Sequence, residues 1–158
     1  MHRFSILLVV GRQLGESSHM ESSRAGSTVR GMTLGDLVTG TAHVCGPDTT
    51  LAEAAAAMRS AGHGSLGVVE GGSLIGLLTE RDIISGIADG LATDDVVRKV
   101  TSPDPDVFDP DVDVFEAAQW LLESGYRHLP VVENGRLLGV VSVTDVLGAV
   151  VDTLEEEE

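Results

Sequence analysis

The sequence predicts an α+β fold in which one unit is used twice, each copy running strand, helix, strand, strand, helix. Three observations predict it. The nine-residue phrase GLLTERDII, from Gly76, returns as GVVSVTDVL, from Gly139. Both read Gly, two aliphatics, a hydroxyl residue, two variable residues, Asp, two aliphatics. Second, sliding the chain along itself by 63 residues (107 − 44) lays Val44 on Val107 and needs no gap through Asp82 on Asp145. Identities on the way include Pro47/Pro110, Glu53/Glu116, Ala54/Ala117, Gly62/Gly125, Val68/Val131, Gly72/Gly135 and Leu74/Leu137. An ungapped series of this length marks a duplicated supersecondary unit. Third, within each copy the apolar spacing alternates between helical and strand-like runs.

The elements follow in order. Val44 to Gly46 and Val107-Phe108 are short apolar pieces suited to a first strand, and Pro-Asp then turns the chain. Leu51 to Ala61 is Ala-rich, with Met58 at a helical interval from Ala54 and Ala55. Val114 to Ser124 sets Val114, Ala117, Ala118, Leu121 and Leu122 on one helical stripe. Asp48 to Thr50 and Asp111 to Asp113 offer N-caps. Gly62 and Gly125 stop the two helices, since glycine takes the left-handed C-cap conformation without strain. Leu66 to Val69 and Leu129 to Val132 are aliphatic strands. Glu-Gly-Gly-Ser and Glu-Asn-Gly-Arg turn them into hairpins with Leu74 to Leu78 and Leu137 to Val141. Second helices run from Arg81 to Ile87 and from Val143 to about Leu154. The expected organisation is residues 1–30 as a flexible or added arm, 31–90 as the first repeat, 91–154 as the second, and 155–158 as an acidic tail.

Composition narrows the function. Aromatic residues are only 3% of the chain, so the core is aliphatic. A formal net charge of −15 works against a general electrostatic grip on nucleic acid or on an anionic membrane. An anionic ligand then needs a local positive site. Cys45 is the single cysteine, which excludes an intrachain disulfide and thiolate zinc sites and suits the cytoplasm. It reads as a small core residue. No run of 18 apolar residues occurs. His2, His19, His43, His63 and His128 show no metal-ligand spacing. No phosphate-binding loop, dinucleotide glycine fingerprint or ordered nucleophile–base constellation is present. A catalytic role is therefore not expected.

The repeated phrase carries the chemistry. A hydroxyl at the end of a strand, just before a helix, sits beside unsatisfied backbone N–H groups at the positive end of the helix dipole. An Asp three residues on can accept from two vicinal ribose hydroxyls, and a nearby Arg can pair with phosphate in bidentate fashion. Thr79…Asp82 and Ser142…Asp145 have this spacing. The same spacing is that of a capping box, in which hydroxyl and acid serve only the helix end. Sequence alone leaves both readings open.

The pattern resembles a tandem pair of CBS domains, a Bateman module, over about residues 31 to 152. The carrying residues are Gly125-Tyr126-Arg127-His128-Leu129-Pro130-Val131-Val132 with Gly139 to Asp145, answered by Gly62-His63-Gly64-Ser65-Leu66-Gly67-Val68-Val69 with Gly76 to Asp82. The resemblance implies two β-α-β-β-α units packed about a pseudo-twofold axis, with two clefts between them. It also implies an adenine ligand (AMP, ADP, ATP or S-adenosylmethionine), a homodimer and regulation of a partner protein in trans. One cleft would use Ser142, Thr144 and Asp145 for ribose and phosphate, with Arg127 and His128 toward phosphate. Its base would lie near Ala42, His43, Val44, His63 and Gly64. The other would use Thr79, Arg81 and Asp82, with the base near Asp106, Val107, Phe108 and Tyr126. There Gly64 and Ser65 stand where the first cleft has Arg127 and His128, so the Asp145 cleft is expected to bind better. Trp120 is expected in packing or at a dimer contact. The competing reading is a ligand-free dimeric scaffold whose clefts are filled by its own side chains.

Overall fold

A computed structural model describes residues 31–156. The expectation for residues 1–30 lies outside the described residues. Each repeat contributes one antiparallel hairpin flanked by helices. In chain order the elements are α1 (Leu34–Leu37), β1 (Val44–Cys45), α2 (Leu51–Ala61), β2 (Ser65–Glu70), β3 (Ser73–Thr79), α3 (Glu80–Ala88), a 3-10 turn (Val97–Lys99), β4 (Ser102–Pro103), α4 (Val114–Ser124), β5 (His128–Glu133), β6 (Arg136–Ser142) and α5 (Val143–Glu156). The fold is mixed α+β, and both copies of the unit are present.

Helices α2 and α4 begin and end where caps demand. Thr50 accepts from the Glu53 N–H, Asp113 accepts from the Phe115 N–H, and Gly62 and Gly125 close them at φ 70° and 73°. Asn134 and Gly135 turn the second hairpin at φ 50° and 77°. Both hairpins carry a bulge at equivalent places, between Val68 and Val69 and between Val131 and Val132. The first sheet runs β1-β2-β3-β4, with β1 parallel to β2, and the second is β5-β6. The expected first strand of the second repeat is reduced to a single parallel bridge from Phe108 to Val131. Phe108 turns inward to the second core, 3% exposed. Helix α5 continues through Glu156, into the expected acidic tail.

Two aliphatic cores form. One gathers Leu51, Ala54, Met58, Leu66, Val68, Leu78, Ile83 and Val97, with Cys45 half-buried against it. The other gathers Leu34, Phe108, Ala117, Leu121, Leu129, Val131, Val141 and Val146. Leu34 precedes the first repeat's strands yet lies in the second repeat's core. Val97, its counterpart 63 residues on, lies in the first repeat's core. The backbone repeats this exchange bond for bond. Leu34 N–H donates to Val112 O at 2.8 Å and Val97 N–H to Thr49 O at 2.8 Å. Gly35 N–H donates to Pro110 O and Arg98 N–H to Pro47 O. The bridges Thr33 to Asp113 and Thr50 to Val96 are likewise exchanged by the 63-residue shift. That reciprocity is what a two-fold relation between the halves requires.

The glycine that opens each repeated phrase has a steric reason. A Cβ on Gly76 would meet Thr101 Cγ2 at 2.3 Å and the Ser102 carbonyl oxygen at 2.9 Å, and one on Gly139 would meet Val38 Cγ1 at 2.8 Å. In each copy the neighbouring segment crosses directly over the glycine. Gly76→Val is expected to cost about 1–3 kcal/mol of stability, the usual size of overpacking. Urea denaturation measures it, and an unchanged midpoint contradicts the assignment. At the seam, β2 and β3 meet β6. Gly67 lets Leu137 of the other repeat approach to 2.5 Å of where a Cβ would stand.

Candidate functional site

Each repeated phrase ends a strand and starts a helix, and both ends reach the seam. Thr79 N–H and Oγ1–H donate to Asp82 Oδ2 at 2.7 Å each, and Asp82 N–H returns to Thr79 Oγ1 at 3.3 Å. Ser142 and Asp145 repeat this at 2.8, 2.6 and 3.2 Å. The capping box is thus fully formed in both copies. It uses one oxygen of each carboxylate; among the described residues, Oδ1 of Asp82 and of Asp145 accepts nothing. A cap and a ribose contact are therefore compatible at the same acid.

Two cavities flank the seam. The smaller, about 70 Å³, is lined by Ala42, His43, His63 and Asp145, with Val38, Thr41, Ser65 and Gly139 completing its wall. The larger, about 550 Å³, is lined by Thr79, Arg81, Asp82, Asp106 and Tyr126, together with Gly64, Arg127, His128, Ser142 and Thr144. The grouping differs from the sequence expectation. The family resemblance implies that Arg127, His128, Ser142, Thr144 and Gly64 belong to the Asp145 cleft; they line the Asp82 cavity instead. Val44, on the edge strand, and Val107 line neither cavity. Phe108 lines neither cavity and is buried in the second core, edge-on to Trp120 with ring centroids 4.8 Å apart.

The larger cavity is mixed in charge. Arg81 and Arg127 face Glu80, Asp82, Asp104 and Asp106. Among the described residues neither arginine makes an ion pair or side-chain hydrogen bond; the ion pairs are Arg98 with Asp48 and Glu70, and Lys99 with Asp95. Gly64 is wedged between Glu80 Oε2 and His128 Nε2, 3.1 and 3.6 Å from where its Cβ would stand. Burial pushes the His128 imidazole below its ordinary range, and the Arg127 charge adds to this; Glu80, Asp145 and Asp82 pull the other way more weakly. Cys45 has its thiol raised by burial, against a smaller lowering by its hydrogen bond to Thr49, which suits a core residue. Among the described residues no three His, Cys, Asp or Glu side chains gather for a metal ion, and no helix is long and apolar enough to cross a membrane.

Sequence reasoning named Asp106 but missed the rest of the wall beside it, Ser102 to Pro105. Its signal was the alternating Pro103-Asp104-Pro105-Asp106, a stiff loop in which Asp104 takes a left-handed φ of 46°. It also missed that Trp120 stacks on Tyr126, centroids 5.3 Å apart and planes 20° from parallel.

The model of the CBS domain matches this chain twice, over residues 34–89 and 97–152. The chain belongs to the CBS-domain family. The CBS pair is 37% identical over 112 residues to a 17.7 kDa protein of Acidianus ambivalens, covering 70% of this chain and 68% of that one. It is 36% identical over 129 residues to a Methanopyrus kandleri protein, covering 77% and 63%. The chain thus spans about two thirds of each of these relatives. Among solved structures, CBSX2 in complex with AMP superposes with a TM-score of 0.67 at 27% identity, covering 78% of this chain and 98% of that one.

Proposed function

We propose that this CBS pair is a regulatory module that takes an adenine nucleotide of the AMP class in the larger cleft and passes its occupancy to a protein partner in trans. One observation carries the reading: a cavity of about 550 Å³ in which two guanidiniums, without a side-chain partner among the described residues, stand beside an acid with an oxygen that accepts nothing from them. Ligand pockets run from roughly 300 to 1,000 Å³, so this cavity has room and the smaller one does not. Asp82 Oδ1 would accept from the ribose hydroxyls, Arg81 and Arg127 would hold phosphate, and Tyr126 would lie against the base. The four surrounding carboxylates oppose every added negative charge, which favours a monophosphate over a triphosphate. The AMP complex of CBSX2 supports the ligand class. Ligand would act by shifting the packing of the repeats as far as its differential affinity allows.

The scaffold reading draws on apolar residues left on the helices. Ile84 and Ile87 of α3, and Leu147, Val151 and Leu154 of α5, are about half exposed or more. Ile84 and Leu147 are equivalent positions, so the two helices offer related faces to a second copy. Such a homodimer is compatible with nucleotide binding.

A thermal-shift series with AMP, ADP, ATP and S-adenosylmethionine tests the proposal. AMP should raise the melting temperature most, since ligand at a hundredfold its Kd adds about 2.7 kcal/mol. Asp82→Ala should abolish the shift while costing only about 1 kcal/mol for the lost cap. No shift with any of the four at millimolar concentration leaves the scaffold reading.

A further inference from the structure

The two clefts are related by the 63-residue shift, yet one is about 70 Å³ and the other about 550 Å³. The residues at equivalent positions say why. His63 of the small cleft corresponds to Tyr126 of the large one, and His43 corresponds to Asp106. His63 packs on His43, ring centroids 4.5 Å apart and planes 38° from parallel. Asp106 offers Tyr126 no ring to pack on. Tyr126 stacks on Trp120, which in turn sits edge-on to buried Phe108. The counterpart of Trp120 is Ala57, an exposed alanine of α2 that offers no ring to His63.

We infer that ring packing sets the clefts in opposite states: Trp120 holds Tyr126 back and keeps the Asp82 cleft open, while His63 packed at a tilt against His43 closes the Asp145 cleft. One chain then takes one nucleotide. Trp120 is a positioning residue that acts through Tyr126, whose exposed ring becomes a rigid wall of the cavity because its far face is already occupied. Offset-stacked aromatic pairs contribute beyond their buried area, enough to fix a side chain that is otherwise free to rotate. The histidine pair does the opposite, closing its own cleft with two rings where a base would need to enter. This inference rests on the nucleotide reading above for its ligand, but the ring packing is visible without one.

The test is calorimetric titration of AMP into the full chain and three variants, with circular dichroism to establish that each is folded. Wild type should bind one AMP per chain. His43→Ala/His63→Ala should bind two. Trp120→Ala should bind its AMP about threefold to tenfold more weakly, the size of one aromatic pair, and Trp120→Phe should recover most of that loss. Two AMP in wild type, one in the double histidine variant, or unchanged affinity in Trp120→Ala overturns the inference while leaving the nucleotide reading intact. The ligand-free protein supplies a separate readout. Trp120 is the only tryptophan, so its indole N–H proton gives one magnetic-resonance signal, and Tyr126→Leu should move it downfield by removing the ring above it. A signal that stays in place overturns the stack itself. Absence of AMP heat in wild type and in the double variant, with the indole shift present, overturns the nucleotide reading and the one-per-chain count but not the packing.

Discussion

Leu34→Ala is expected to lower the unfolding free energy by about 3 kcal/mol, and the loss should be felt in the second repeat, although Leu34 lies at the head of the first. Leu34 is fully buried among Phe108, Ala117, Leu121 and Leu129. Its removal leaves a cavity in a core whose walls are held by strands and by α4, so collapse around it is limited. Trp120 packs against this core, and its fluorescence reports the event directly. Urea denaturation followed by that emission should show the midpoint falling, with a single transition shared with the helical signal. A Trp120 transition that stays in place when Leu34 is truncated contradicts the crossed packing. So would two separate transitions in the parent protein, because each core contains a residue from the other repeat.

The second large effect concerns charge. Arg81→Ala with Arg127→Ala should weaken AMP binding by roughly a hundredfold or more, since each charge-assisted hydrogen bond contributes about 1.5–3 kcal/mol. The same pair should leave thermal stability nearly unchanged, because neither arginine has a protein partner among the described residues. Loss of stability without loss of affinity contradicts the role. His128 gives this binding a pH dependence of definite sign. The fold depresses its pKa, so the free protein holds it neutral near pH 7. The unfolded chain takes up a proton near its ordinary value of about 6.5, while the folded chain resists. The stability His128 contributes is therefore present above that value and declines as pH falls through the lower, folded value. A bound phosphate reverses the local preference and draws the proton in. AMP affinity should accordingly rise as pH falls toward and below about 6.5, with proton uptake on binding, and His128→Asn should flatten that rise.

The sequence carried the local elements well. Helices α2 and α4 are bounded by residues whose roles do not depend on context: a hydroxyl or Asp before the first turn and a glycine after the last. The hairpins were equally legible because Gly71-Gly72 and Asn134-Gly135 supply the positive φ that tight turns need. What escaped was everything decided across the repeats. Helix α1 is four residues long and the Val97–Lys99 turn three; neither is long enough to show periodicity, and both exist because Leu34 and Val97 dock in distant cores. The site was legible by residue and illegible by grouping. The motif placed Asp82, Asp145, Arg127 and His128 at the seam, but which cleft each faces depends on how the hairpins meet there. From sequence the Asp145 cleft is expected to bind better because Arg127 and His128 are grouped with it; both line the larger, Asp82 cavity, so the grouping and not the value of the cations is what differs. Trp120 shows the same limit: its helical position marked it for packing, and only the three-dimensional arrangement places its ring against Tyr126.

The exchange of Leu34 and Val97 bears on how such a chain can change over generations. Each half closes the other's interior, so neither is a self-sufficient piece that recombination could move alone into a new context. A lone half would expose its unclosed interior until it met a twin, and two twins swapping their leading segments would rebuild the arrangement seen here. The duplication thus behaves as a symmetric partnership fused into one gene, heritable only as a whole, with each side free to diverge at its cleft while both remain bound to keep the residue they lend.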